Sequence, residues 1–184
     1  MMKSRSAASW LLCRARLSTG AGLTHVKSDG SPGMVDIAEK LTTHRKAHAR
    51  ATVVLPPEVT ALIDYEKNDI FGKKGAVFVT AKIAGVMALK KTSDLIPFCH
   101  PISIESSDID INVVAKDNEE QSNVIIDCHT ATTGKTGVEM EALMGATQAA
   151  LCVYDMLKAV SHDIIIKDVR LMAKSGGKAV FTRD

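Results

Sequence analysis

The order of apolar and polar residues first predicts a strand followed by a short helix. Residues 48–55 contain a β-branched run that indicates a strand. Pro56 and Pro57 end this strand, and Pro57 suits the first turn of a helix that we expect to reach about Lys67. The polar, glycine-containing residues 68–74 then predict a loop.

A second helix is predicted over residues 75–91. Val79, Ile83 and Val86 recur there at helical spacing, so we expect them to form the core side, with Lys82 outside. Gly85 lowers the stability of a helix interior, and we expect it to allow close packing against a neighbouring element.

The second half of the chain adds two paired strands, a long helix and a last strand. Residues 102–115 alternate between apolar and acidic side chains, and residues 124–131 form the return strand after a charged loop over residues 116–123. Residues 138–160 form the longest segment with helical periodicity, and residues 164–172 are predicted to form a strand. Hairpins and helices in this order predict an α+β fold, with a ferredoxin-like antiparallel sheet packed against helices.

The first 33 residues differ in composition from the rest of the chain. Before the first acid, Asp29, they contain five cations and several serines: Lys3, Arg5, Arg14, Arg16 and Lys27. An Arg-rich, Ser-rich and acid-poor start predicts a transit peptide to the mitochondrial matrix, with residues 28–33 as a flexible linker. A start that is merely disordered is the alternative. Residues 34–184 are then one domain, and no segment in it has the length and apolarity of a membrane span.

Composition adds no element to this picture, but it argues against several classes of protein and site. A chain of 184 residues suits one core, and 46% hydrophobic residues argue against overall disorder. The net charge of +2 does not favour nucleic acid as a partner. The four cysteines, Cys13, Cys99, Cys128 and Cys152, contain no CxxC pair, so zinc ribbons, iron–sulfur loops and a disulfide framework are poorly supported.

Candidate chemistry concentrates first in a stiff loop. Pro97 and Pro101 hold Phe98, Cys99 and His100 between a helix and a strand. A fixed histidine can transfer protons or contact phosphate. The alternative is a histidine that shapes the turn through a local hydrogen bond.

A glycine-rich turn before the long helix is the second candidate. Backbone N–H groups at such a helix start can bind phosphate. The Gly134-Lys135-Thr136 triplet resembles the end of a P-loop, but His129 occupies the place of the first glycine, which excludes a Walker ATPase. Glu139 and Glu141 follow, and acids in a first helical turn are also favoured by the helix dipole alone.

Asp155 and Lys158 are the third candidate, because residues three apart on a helix can pair. The alternative is an ordinary surface ion pair. Further cations are dispersed over loops and element ends, and they form an anion site only if the fold gathers them: Arg45, Lys74, Lys135, Lys174 and Lys178.

Read together, these motifs strongly resemble the cyclic pyranopterin monophosphate synthase family, also called MoaC. The resemblance covers about residues 24–178, and its most specific strings are residues 95–101 and 134–143. It implies a lyase of molybdenum cofactor biosynthesis that converts 3′,8-cyclised dihydro-GTP into cyclic pyranopterin monophosphate and pyrophosphate. It also implies a homohexamer, a trimer of dimers with sites between subunits, and no redox cofactor, with magnesium plausible on the substrate phosphates.

The resemblance also implies roles for individual residues. Asp155 matches the active-site acid, Lys158 the lysine one turn on, and Lys74 a catalytic lysine, with Lys73 the less favoured register. The implied substrate contacts are Phe98, Cys99, His100, Glu139, Met140, Glu141, Arg45 and Lys174. We hypothesise that Lys74 and Lys158 act as acid and base, since neighbouring cations lower a lysine pKa, and that Asp155 orients Lys158 while His100 helps to hold phosphate.

Three other interpretations compete with this one. The first is a catalytically inactive regulatory oligomer, and the second is a module that binds GTP without chemistry. The third is another pterin-forming enzyme, such as a GTP cyclohydrolase. The last class usually needs zinc, which the Cys and His spacing does not offer. The lyase would receive its substrate from a radical enzyme, with which a transient contact is a further expectation.

Overall fold

The computed structural model describes residues 30–115 and 121–184, and its folded unit runs from Met34 to Asp184. Apart from residues 30–33, the predicted transit peptide and linker lie outside the described residues, as do residues 116–120 of the charged loop. The elements are, in chain order, β1 (Thr43–Leu55), α1 (Pro57–Thr60), β2 (Ile63–Asp64), β3 (Asp69–Gly72), β4 (Gly75–Ala76), α2 (Val77–Leu89), α3 (Thr92–Leu95), β5 (Ser106–Ala115), β6 (Ser122–Gly134), α4 (Glu139–Leu157), β7 (Ile165–Ser175) and β8 (Phe181–Thr182).

Five antiparallel strands form the main sheet in the order β5-β6-β1-β7-β8, and α4 packs on one of its faces. The central strand β1 pairs with β6 along its whole length and with β7 on its other side. Its buried residues alternate with less buried ones, as a strand with one covered face requires: Ala47, Ala49, Ala51, Val53 and Leu55. The fold is therefore mixed α+β in a ferredoxin-like arrangement, which confirms the predicted class.

The two long helices cross at a pair of glycines. A Cβ atom on Gly85 of α2 would lie 2.8 Å from the carbonyl oxygen of Gly145 on α4, and one on Gly145 would lie 2.6 Å from Cys128 Sγ. Neither separation is compatible with a real side chain, so the close packing expected at Gly85 is confirmed. No helix in the described part of the chain has the length and apolarity to cross a membrane.

The predicted core side of α2 was wrong for two of its three apolar residues, whereas Val86 packs against the core as expected. Val79 and Ile83 are 54% and 57% exposed, and the buried residues of the helix instead include Phe78 and Leu89. Apolar residues occur almost all round this helix, so their spacing does not select one face.

The first predicted helix was too long. It ends at Thr60, and residues 61–76 form a separate three-stranded sheet in the order β2-β3-β4. Asp64 accepts the backbone N–H of Lys67, which stabilises a turn, and Asn68 takes the left-handed conformation with φ of 48°. These local hydrogen bonds compete with helix formation, which the proline signal alone does not reveal.

Candidate active site

Three predicted catalytic residues meet at the end of α4, and we call them the lysine cluster: Lys74, Asp155 and Lys158. Lys158 Nζ donates a 2.6 Å hydrogen bond to Asp155 Oδ1, and Lys74 Nζ lies 3.9 Å from Asp155 Oδ2. Asp155 comes from the last turn of α4, whereas Lys74 comes from the tip of the β3–β4 hairpin. The fold therefore gathers cations that are 84 positions apart in sequence.

The charges of the lysine cluster favour a protonated Lys158. The hydrogen bond from Lys158 and the nearby charge of Lys74 hold the pKa of Asp155 below its usual value. The same hydrogen bond raises the pKa of Lys158. The expectation of a lowered lysine pKa was wrong for Lys158, because its ammonium group donates directly to the Asp155 carboxylate, which favours the charged form.

The predicted substrate-contacting residues meet at the other end of α4. Glu141, in its first turn, is only 4% exposed, and burial raises the pKa of its carboxyl to about 7. Burial, and then the charge of Glu141, raise the pKa of the Cys99 thiol, so the loop carrying Cys99 lies within electrostatic range of this carboxyl. Glu141 is therefore poised to give or take a proton near neutrality.

His100 in the same loop has a defined hydrogen bond. Its Nε2 lies 2.8 Å from the carbonyl oxygen of Val35. Since a carbonyl only accepts, Nε2 donates, and Nδ1 of the neutral ring is left as the proton acceptor. The turn-shaping alternative and the proton-transfer role are thus compatible. Phe98 and Met140 are 38% and 39% exposed and offer apolar surface to a planar ligand.

A cavity of about 410 Å³ adjoins the start of α4, and we call it the cationic cavity. Among the residues that the structure describes, its walls contain four cations and no carboxylate: Lys40, Arg45, Lys135 and Lys178. Arg45 donates to the carbonyl oxygens of Gly134 and Lys135 at 3.4 Å, which fixes its side chain across the cavity wall. Such a wall matches a polyphosphate chain.

Lys174 does not line this cavity. Its Nζ forms a 3.0 Å ion pair with Glu139 Oε1, beside Gly137 of the cavity wall. To contact a phosphate in the cavity, the Lys174 ammonium must therefore break its ion pair with Glu139 and pair with the phosphate instead. Sequence reasoning missed Lys40 as a site residue and left Lys135 and Lys178 among the dispersed cations.

The sequence carried one signal for Lys135 and Lys178, which is that each directly follows a glycine in a turn. Lys135 and Lys178 follow glycines in two turns, and both turns lie beside the start of β1, where Thr43 pairs with Gly134 and Lys46 with Ser175. The pairing of the strands, rather than the turns themselves, brings the two lysines to one cavity.

The cysteines and acids of the described residues are neither linked by disulfides nor grouped around a common point. Cys99, Cys128 and Cys152 are free thiols. Among residues 30–115 and 121–184, no three His, Cys, Asp or Glu side chains lie close enough together to hold a metal ion.

The two groups of predicted residues are far apart within one chain. Glu141 and Asp155 lie fourteen residues apart on the continuous helix α4, which is about 21 Å along its axis. Proton transfer needs contact at about 3 Å, so both carboxyl groups of one chain cannot act on the same reacting atoms.

Comparison with known proteins agrees with the sequence motifs. Residues 34–177 match the sequence model of the MoaC family. Molybdenum cofactor biosynthesis protein 1 of Dictyostelium discoideum is 46% identical over 171 residues, which cover 85% of this chain and 26% of that protein. The molybdenum cofactor biosynthesis bifunctional protein of Synechocystis sp. is 48% identical over 157 residues, 85% of this chain and 44% of that protein. The chain thus spans less than half the length of these relatives.

Proposed function

Because this chain belongs to the MoaC family, we propose that it acts in molybdenum cofactor biosynthesis as cyclic pyranopterin monophosphate synthase. The proposed reaction converts 3′,8-cyclised dihydro-GTP into cyclic pyranopterin monophosphate and pyrophosphate. The cationic cavity is the observation that carries this proposal. A carboxylate-free wall of Lys40, Arg45, Lys135 and Lys178 suits a triphosphate whose outer two phosphates leave together.

The surrounding residues divide the remaining tasks. Glu141, with a pKa of about 7, and His100, with Nδ1 free to accept, exchange protons with the ring that is opened and closed again. Lys158, kept protonated by Asp155, supplies a proton, and Lys74 is its acid–base partner. Phe98, Cys99 and Met140 contact the substrate, and Lys174 joins the phosphate by leaving Glu139.

We propose that the complete site is shared between two copies of the chain. The 21 Å between Glu141 and Asp155 supports this, because the two carboxyl groups can act on the same reacting atoms only if different chains contribute them. A pair of this kind would be the repeating unit of the homohexamer, a trimer of dimers, that the resemblance implies.

An exposed stripe on α2 is the surface that best fits such a pair. Val79, Ile83 and Met87 are 54%, 57% and 58% exposed, and lie four residues apart along one side of the helix. The start of α2 adjoins the lysine cluster, and its end leads through α3 to the loop of Cys99. A two-fold axis near Ile83 would set the lysine cluster of one copy against the Cys99 loop of the other.

A catalytically inactive regulatory or nucleotide-binding oligomer is the second candidate function. The cationic cavity alone would bind GTP by its triphosphate, without any need for the cyclised ring. Titration with GTP by calorimetry, followed by titration with the cyclised compound, separates the two cases, since the lyase should prefer the cyclised form.

Turnover is the direct test of the proposed function. Purified protein is mixed with 3′,8-cyclised dihydro-GTP, and release of pyrophosphate and of the pterin product is followed. Lys158→Ala should lower kcat by about 10²-fold or more, the usual contribution of an acid–base group. Lys167→Ala, at an exposed lysine on β7, is the matched control and should retain turnover. Wild-type turnover in Lys158→Ala would overturn the assignment, and a folded oligomer without any turnover would favour the regulatory function.

The remaining proposals concern the protein's surroundings. The Arg-rich, acid-poor first 28 residues support a location in the mitochondrial matrix. Membership of the family supports a site without a redox cofactor, and the cations of the cavity suit phosphates on which magnesium would enter. Because radical chemistry must make the cyclised substrate, a transient contact with that upstream enzyme is proposed, and neither nucleic acid nor membrane is a proposed partner.

A further inference from the structure

Asp69 joins the hairpin that carries Lys74 to the first turn of α2. Its side chain is 4% exposed, and Oδ1 accepts the backbone N–H groups of Ile70 at 2.7 Å and Phe78 at 2.8 Å. Oδ2 accepts the N–H of Val79 at 3.3 Å. The helix has no side-chain cap from its own N-cap residue, Ala76, so Asp69 supplies the cap from another element.

Asn68 fixes the same hairpin on its other side. Its Nδ2 donates to the carbonyl oxygen of Ile111 at 2.8 Å, and its Oδ1 accepts the N–H of Val113 at 3.4 Å, both on β5. The backbone of Asn68 is left-handed, with φ of 48°, a conformation that asparagine tolerates better than most residues. Two adjacent side chains thus tie the base of the hairpin to a helix and to a strand.

The tip of this hairpin has little other support. Gly72 pairs with Gly75, which leaves Lys73 and Lys74 as a two-residue turn, and the Lys74 side chain is 70% exposed. The position of the Lys74 ammonium near Asp155 therefore depends on how the hairpin base is held.

We propose that Asn68 and Asp69 form a clamp that positions Lys74 for catalysis, although neither touches the substrate. This inference rests on the proposed function, because it assumes that Lys74 acts in turnover. The clamp holds the backbone from which Lys74 extends, so its loss should lower kcat through misplacement of one reacting group rather than through substrate affinity.

A double-mutant cycle tests whether Asp69 acts through Lys74. Asp69→Ala should lower kcat about tenfold or more, with KM changed less than about twofold. Asp69→Asn keeps an oxygen acceptor for Ile70 and Phe78 and should restore most of the loss. In the Lys74→Ala background, Asp69→Ala should change kcat by less than about twofold, because the group that it positions is already absent.

Asn68→Gly gives a second, milder measurement that does not depend on Asp69→Ala folding. Glycine accepts the left-handed backbone, so this variant removes only the two hydrogen bonds to β5. It should lower kcat in the wild-type background and leave it unchanged in Lys74→Ala.

The outcomes separate this inference from the proposed function. Equal fold-losses from Asp69→Ala or Asn68→Gly with and without Lys74 would overturn the clamp and leave a general structural role. If Lys74→Ala alone retained wild-type turnover, the assignment of Lys74 itself would fall, and the clamp with it. Loss of turnover in Lys74→Ala with unchanged kcat in both clamp variants would overturn the clamp alone.

Discussion

Burial gives Glu141 a different proton affinity in the folded and unfolded chain. Its pKa rises from the ordinary value of 4.5 to about 7 in the fold, so the folded chain keeps a proton that the unfolded chain releases between these pH values. The free energy of unfolding should then fall as pH rises through this window, by at most about 3.5 kcal/mol at 1.4 kcal/mol per pKa unit. The residue best suited to exchange protons thus also lowers stability above neutrality.

We expect Glu141→Gln to remove this pH dependence. Its free energy of unfolding should exceed that of the wild type increasingly between about pH 5 and about pH 8, because glutamine cannot ionise. Denaturant titrations at each pH measure the difference. Glu66→Gln is the control, since this acid is exposed and is not among the groups that shift the pKa of Glu141. Parallel pH curves for wild type and Glu141→Gln would contradict the raised pKa.

Sequence reasoning named most residues of the candidate site but not their arrangement. The pair Asp155 and Lys158 followed from helical spacing, and the structure shows its hydrogen bond. The approach of Lys74, the cavity position of Lys40 and the capping by Asp69 all depend on partners distant in sequence. No local pattern specifies such contacts, so only the fold reveals them.

Among the elements, the crossing of α2 and α4 is the most exacting. The two helices approach at Gly85 and Gly145, and a single methyl group has no room at either position. Interiors are packed densely enough that one extra carbon moves its neighbours.

We expect Gly145→Ala to cost about 1–3 kcal/mol of stability, the usual effect of overpacking. The added Cβ would stand 2.6 Å from Cys128 Sγ, so α4 would have to shift from the sheet. Gly72→Ala is the control, because a Cβ there meets no atom within 4 Å, and it should change stability by less than about 0.5 kcal/mol. Urea midpoints compare the two, and equal midpoints would contradict the tight crossing.

The elements themselves were predictable to different degrees. The strands β1, β5, β6 and β7 and the helix α4 were located from periodicity, with ends shifted by a few residues. The hairpin of residues 61–76 was not predicted, because its strands are two to four residues long and are held by turn hydrogen bonds. The buried side of α2 was chosen wrongly because nearly every side of that helix is apolar.

At the scale of the whole molecule, the separation of the two ends of α4 makes the shared site testable by mixing subunits. Lys158→Ala and Glu141→Gln should each be inactive alone. Coexpressed chains with different affinity tags should regain about a quarter of wild-type turnover, because random pairing makes half of the pairs mixed and each mixed pair has one intact site. No recovery in purified mixed pairs would contradict a shared site.

The α2 stripe supplies the matching structural control for that experiment. Ile83→Glu should dissociate the pair and abolish the recovery, measured by light scattering and turnover. Ile165→Glu changes a residue of equal exposure, 57%, at the start of β7 and should leave the pair intact. Dissociation by Ile165→Glu alone would assign the pair to another surface.

The length of α4 also has a genetic consequence. In a diploid cell that makes normal and altered chains, an allele damaged at one end of α4 spares one site of every mixed pair. An allele damaged at both ends inactivates both sites of a mixed pair, because each site takes one of the two damaged groups from the altered chain. Beside one normal copy, two such lesions on the other copy of the gene should therefore be dominant-negative and leave about a quarter of the sites intact, whereas either lesion alone should leave about half, as loss of one copy does.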